Sequence, residues 1–113
     1  MGNNVISGKN GEDIAGKFLE TKGYSILFRN YRYKKLEIDI IVRKENLLVF
    51  VEVKKRKNSK FGFPEASVSE RKASLVMTAA ENFIFENDWK GPIRFDIVAI
   101  TGQEIVHFED AFH

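Results

Sequence analysis

At 113 residues, with a net charge of +2 and a pI near 8.9, the chain has the size of one domain that buries about two thirds of its unfolded surface. It has no cysteine and only two histidines, His107 and His113, which removes disulfides, thiolate nucleophiles and thiolate zinc sites and leaves little material for a histidine metal cluster or a Ser/His/Asp triad. No apolar run approaches the roughly 18 residues of a membrane span and no signal peptide precedes the first helix, so a cytoplasmic protein without a membrane partner is expected, and the mild basicity permits a nucleic-acid partner without demanding one.

A single domain over residues 1–113 is expected, with 1–7 polar and small enough to form a loose arm. From about Lys9 the pattern is helical: Ile14, Ala15, Phe18 and Leu19 form an apolar stripe, and Gly23 supplies the stop. Glu12 stands three, four and seven residues before Ala15, Gly16 and Leu19, on the inward side of that helix, where the helix dipole alone would stabilise it. Asp13 faces Lys17 at i+4 and reads as a solvated acid. Tyr24 to Tyr33 reads as a strand, and Arg29, Arg32, Lys34 and Lys35, set beside Tyr31 and Tyr33, give a basic approach that is either a solvated loop or a place to hold phosphate and stack bases.

Two runs rich in β-branched residues come next, Leu36–Arg43 and Leu47–Lys54, separated by only Lys44-Glu45-Asn46, which predicts an antiparallel hairpin turning about Glu45-Asn46. Alternation puts Glu37 and Asp39 on one face of the first strand and Glu52 and Lys54 on one face of the second. This register sets Asp39 opposite Glu52 and Glu37 opposite Lys54, three carboxylates and one ammonium in a single patch. Like charges facing each other at about 5 Å destabilise a sheet, so folding alone would not choose the arrangement, whereas Mg²⁺ is held by one or two carboxylates together with water and phosphate oxygens. A lone acid on a strand is usually a solvated surface charge. Here Leu48 and Phe50 share the face of Glu52, and Val49, Val51 and Val53 make the other face apolar, the pattern of a strand covered on both sides.

Lys54 to Pro64 is the most basic segment, and its glycine and proline mark it as a loop that is either a soluble connector or, from its place beside Lys54, a contact for phosphodiester. Ser67-Val68-Ser69-Glu70 has the form of a capping box, with Ser67 as cap, and opens a helix running to about Asp88 with Leu75, Val76, Ala79, Ala80, Phe83 and Ile84 as its buried stripe. Trp89 packs at the helix end and Lys90-Gly91-Pro92 breaks the chain. Ile93 to Ile100 returns as a strand in which Arg94 and Asp96 have structural roles, since a charge on a buried strand needs a partner, and Glu104 to Phe108 forms a short last strand.

Asp39 followed by Glu52-Val53-Lys54 resembles the D…ExK core of the PD-(D/E)xK nuclease superfamily, although Ile38 stands where the superfamily's name has proline. More closely, Gly11-Glu12, Gly23-Tyr24, Asn30-Tyr31-Arg32, Glu37-Ile38-Asp39, Phe50 to Lys54, Phe61-Gly62 and Arg94 to Val98 make the chain similar to the YraN-like proteins, bacterial predicted endonucleases related to archaeal Holliday junction resolvases. Leu36 replaces the glycine that usually precedes the Glu-Ile-Asp triplet in that family. The resemblance implies an α/β, restriction-endonuclease-like α-β-β-β-α-β core, a mixed sheet flanked by helices, and a metal-dependent DNA endonuclease, with branched or repair and recombination DNA among the candidate substrates.

In that reading Asp39 and Glu52 bind Mg²⁺ or Mn²⁺ with the Val53 carbonyl, and Lys54 holds the attacking water or offsets transition-state charge. Glu12 and Glu37 are auxiliary acids, and Arg32, Lys55, Arg56, Lys57, Lys60 and Lys72 contact nucleic acid. A homodimer of the resolvase kind is carried as an open expectation. The alternative from a different class is a nucleic-acid-binding module that keeps the fold without cutting. A two-carboxylate glycosidase fits poorly, because Lys54 and the basic loop suit phosphate better than sugar.

Overall fold

The β-branched runs at the middle of the chain form the centre of the sheet, and the amphipathic segments on either side of them in sequence cover its two faces. The computed structural model describes residues 7–56 and 68–113, with side chains from Gly11 onward. Its elements are α1 (Ser7–Thr21), β1 (Ser25–Tyr33), β2 (Leu36–Lys44), β3 (Leu47–Arg56), α2 (Glu70–Glu86), β4 (Ile93–Thr101) and β5 (Glu104–Phe108). The predicted α-β-β-β-α-β order is present, with β5 added as a short edge strand, an arrangement consistent with a restriction-endonuclease-like core. The sheet runs β1-β2-β3-β4-β5; β3 and β4 are parallel and every other neighbouring pair is antiparallel. Parallel neighbours need a long crossover, and the connection carrying α2 supplies it.

Lys44 pairs with Leu47, so Glu45-Asn46 is a two-residue turn, and Glu45 takes a φ of 55°, as the first position of a primed hairpin turn requires. Leu48 and Phe50 of β3 pack under α2 with Val76, Ala80 and Phe83, while Val49 and Val51 pack under α1 with Ala15 and Leu19. The strand is thus buried on both faces, as its composition predicts. Glu52, the next residue on the α2 side, remains only 4 % exposed.

Strand β2 departs from strict alternation. Ile38 lies in the cluster beneath α2 and Ile40 in the cluster beneath α1, so the faces exchange at Asp39. On β1, Tyr31 pairs with Ile38 and Arg29 with Ile40, which sets Asn30 across from Asp39, and Asn30 has a φ of 54°. Asparagine tolerates this left-handed conformation better than most residues. The prediction that Glu37 and Asp39 share one face assumed an unbroken pleat, and the reversal at this point removes its basis.

The helix ends are set by local chemistry. Tyr24 N–H reaches the Leu19 carbonyl at 3.1 Å and Gly23 N–H the Glu20 carbonyl at 3.0 Å, with Gly23 at a φ of 94°, the paired bonds of a Schellman stop. Tyr24 therefore belongs to the end of α1 and not to β1. Helix α1 begins at Ser7, two residues before the position read from the periodicity; the first six residues of the expected arm lie outside the described residues. At α2 the cap is Ser69, in extended conformation, whose side chain accepts a hydrogen bond from Lys72 N–H at 3.1 Å. The predicted capping box on Ser67 and Glu70 is therefore displaced by two residues, with Lys72 rather than Glu70 in the third helical position. The helix closes at Glu86, with Asn87 as its C-cap.

Candidate functional site

Where the two central strands stop pairing, the site begins. The β2–β3 ladder extends from Lys44–Leu47 to Ile40–Val51. One step further, Asp39 does not face Glu52 across a laddered pair; its carboxylate Oδ2 accepts the Val53 backbone N–H at 2.8 Å. The side chain replaces the neighbouring strand's carbonyl as partner for that N–H, so Val53 is satisfied while the strands separate. In an extended strand the N–H and C=O of one residue project to the same side, so the Val53 carbonyl also faces this gap.

Asp39, Glu52, Val53 and Lys54 line an open cavity of about 630 Å³, closed on its other side by Val68, Ser69 and Lys72 at the start of α2. Lys72 Nζ lies 3.3 Å from Glu52 Oε1, whereas Glu52 Oε2 is buried without a hydrogen-bond partner. Leaving a buried acceptor unsatisfied costs about 1–3 kcal/mol, more when it is charged, so Oε2 is an atom for which something outside the chain is the natural partner.

Both carboxyls are held above their ordinary range. Burial is the main cause for Glu52, the negative charge of Asp39 adds to it, and together they outweigh Lys72 and the Asp39 backbone N–H, leaving the group at about 7. Asp39 is raised by burial first, against the Val53 N–H, with the charges of Glu12 and Glu37 pushing further up and Lys72 pulling down. Two acids that each resist ionisation in a shared cavity form a site that gains from a cation.

The remaining predicted residues fall at different distances from this centre. Glu12 is mostly buried, its Oε1 has no hydrogen-bond partner among the described residues, and Arg29 Nη2 lies 3.9 Å from it. Its charge acts on Asp39, but it is not part of the cavity wall. Glu37 also acts on Asp39 through its charge, while its carboxylate leans toward Arg32 Nε at 4.0 Å, away from the wall. The β2–β3 ladder does not extend to Glu37 and Lys54. Arg32 is exposed on β1. Lys54 and Lys55 leave β3 on opposite faces: Lys54 enters the cavity, and the Lys55 stem lies over Gly11 of α1, where an added Cβ would come within 3.1 Å of its Cδ. Arg56 is exposed at the strand end. Lys57, Lys60 and the Phe61-Gly62 part of the loop lie outside the described residues.

Sequence reasoning did not single out Ser69, whose hydroxyl fixes the start of α2 and whose side lines the cavity. Nor did it join Lys72 to Glu52, because the two are 20 positions apart and only the packing of α2 on the sheet brings them together. Among the described residues no three His, Cys, Asp or Glu side chains gather as a metal-binding group. Any ion here would be held by two carboxylates with backbone, water or substrate oxygens. Among the described residues no helix is long and apolar enough to cross a membrane.

A sequence model described as uncharacterised protein family UPF0102 matches residues 11–100. A UPF0102 protein of Flavobacterium psychrophilum is 47 % identical over 110 residues, covering 94 % of this chain and 92 % of that one. One from Sulfurihydrogenibium is 46 % identical over 106 residues, covering 93 % and 92 %. One from Chloroherpeton thalassium is 48 % identical over 105 residues, covering 92 % and 81 %.

Proposed function

From a chain that belongs to the uncharacterised protein family UPF0102, the YraN-like family, and that carries two buried carboxylates and two lysines around one cavity, we infer a metal-dependent phosphodiesterase acting on DNA. The observation that carries this reading is Glu52 Oε2, a buried carboxylate oxygen with no hydrogen-bond partner among the described residues, beside a second acid with a raised pKa. The donor set suits a hard cation: Asp39 and Glu52 supply carboxylate oxygens and Val53 a carbonyl, with no thiolate or imidazole on the cavity wall. Mg²⁺ or Mn²⁺ bound there supplies Lewis-acid polarisation of a phosphoryl oxygen and a lowered pKa for water.

The chain's own groups do the rest. Asp39 and Glu52 hold and orient the ion, while Asp39 also fixes the Val53 backbone through its N–H. Lys54, on the same wall, orients the attacking water and offsets negative charge developing in the transition state. Lys54 and Lys72 stand at the cavity a phosphodiester would enter, and the basic run that continues from Lys54 in the sequence favours a nucleic acid over a small phosphate ester. A cytoplasmic location fits a DNA substrate. Branched DNA and a homodimer remain part of the proposal.

Asp39→Asn retains an acceptor for Val53 N–H but removes the charge, so it should abolish Mn²⁺-dependent cleavage of a panel of branched and linear DNAs with little change in melting temperature. Lys54→Ala should do the same. A folded variant of either kind that cuts at the wild-type rate ends the proposal. The Lys72–Glu52 ion pair favours one rival, a nucleic-acid-binding module in which that lysine permanently closes the acidic site. Salt-dependent DNA binding by the wild type, with calorimetry detecting no Mg²⁺ or Mn²⁺ uptake, would select it.

A further inference from the structure

Lysine in the first turn of a helix is placed against the helix dipole, and nothing in the local sequence of α2 rewards it there. Lys72 is held at that position because its backbone N–H is the group that caps on Ser69. Its side chain then crosses to β3 and meets Glu52, a residue with 4 % exposure, at 3.3 Å. A buried carboxylate must be paired or give up its charge, and this ammonium is a cation in contact with it. The pairing is one-sided: Oε1 has Lys72, and Oε2 has no partner. The lysine is half exposed, so its four-carbon stem can turn toward the cavity mouth without disturbing the core.

We propose that Lys72 is the resident counter-cation of this site, seated on Glu52 in the metal-free protein and displaced by a divalent ion toward the phosphate of the incoming strand. The inference rests on the metal-dependent reading above and adds to it a positioning residue with two stations. A dication that takes the Glu52 carboxylate supplies the charge that the lysine balanced and repels an ammonium a few ångströms away. The cavity that Lys72 lines together with Val68 and Ser69 leaves its side chain room to move off Glu52, across from Lys54 on the facing wall. One lysine thereby stabilises the acids before the ion arrives and meets substrate charge afterwards. Metal loading and the phosphate contact become a single exchange.

The test uses the full chain and reads binding and labelling, not cleavage. In the wild type, competitive acetylation followed by peptide mass analysis should show Lys72 labelling several-fold faster at saturating Mg²⁺ than in chelator, with the exposed Lys90 as internal reference. By calorimetry at pH 8.5, where protons compete least, Lys72→Met should bind Mg²⁺ roughly five- to tenfold more tightly than wild type, because no resident cation has to leave. Lys72→Arg should stay near wild type. If Lys72→Met does not fold in chelator, its recovery on adding Mg²⁺ is the expected result, and failure to recover overturns the proposal. Metal binding by the wild type with unchanged Lys72 labelling, or weaker binding by Lys72→Met, overturns it while the metal-dependent reading stands. No Mg²⁺ or Mn²⁺ binding by either folded protein removes both.

Discussion

Ionising a carboxylate that is 4 % exposed has a cost that the Lys72 ammonium only partly offsets, and the charge of Asp39 raises it again. The Glu52 group therefore holds its proton to about 7 in the folded chain, against 4.5 ordinarily. Between those values the folded chain binds a proton that the unfolded chain has already lost. The contribution to stability is complete below the ordinary value and falls as pH rises through the folded one. At about 1.4 kcal/mol per unit, the metal-free protein should lose up to about 3 kcal/mol from this group on going from weak acid to mild alkali. Glu52→Gln should remove that slope, and urea unfolding in chelator at a series of pH values measures it in both proteins. Equal slopes in the two would locate the cost at some other group.

At the scale of elements, the cap of α2 decides where the lysine stands. Ser69→Ala removes the acceptor for Lys72 N–H and should cost about 1 kcal/mol, or roughly 3–6 °C in melting temperature, as differential scanning calorimetry would show. This cap also marks what the sequence did and did not make legible. Ser67-x-x-Glu70 has the better capping-box form, yet Ser69 is the cap, and Lys72, whose N–H it receives, meets Glu52, a tertiary contact invisible to a local pattern. The hairpin register was legible, since two β-branched runs with a minimal gap admit few pairings and Lys44–Leu47 is the one adopted. The exchange of faces at Asp39 was not, because nothing in the alternating pattern marks it, and the positive φ of Asn30 across from it belongs to an unremarkable residue in a strand-like run. Asp39, Glu52 and Lys54 were singled out by their chemistry, and they line one cavity, with Asp39 bonded to the Val53 N–H and not in the laddered opposition that suggested the group.

Across the whole molecule a second buried acid works in the opposite sense. Asp96 on β4 is fully buried, and burial alone would raise its pKa, but His107, Arg94 and the Asp110 N–H outweigh that and hold it below the usual carboxylate range. Arg94 grips both of its oxygens at 2.8 Å and also donates to Tyr24 OH, and His107 Nε2 lies 2.7 Å from Oδ2. With Lys22 2.7 Å from His107 Nδ1, the ring's Nδ1 accepts and Nε2–H donates, so the network ties the end of α1 to β4, β5 and the C-terminal residues. Asp96→Ala strands an arginine and a histidine in the interior and should cost about 3–5 kcal/mol, a large share of the stability of a domain this size; Asp96→Asn, which keeps acceptor capacity, should cost less. The contribution of Asp96 is present above the ordinary carboxylate pKa and is lost as pH falls through its lowered value. Metal-free stability is then eroded from the acid side by Asp96 and toward neutrality by Glu52. Asp96 is not part of the cavity wall, so Mg²⁺ should lift only the neutral and alkaline arm of the pH–stability curve, where it replaces the proton on Glu52, and leave the acid arm unchanged. Thermal unfolding across pH with and without Mg²⁺ reads both arms together, and an equal lift of the acid arm would mean that the ion binds somewhere other than these two carboxylates.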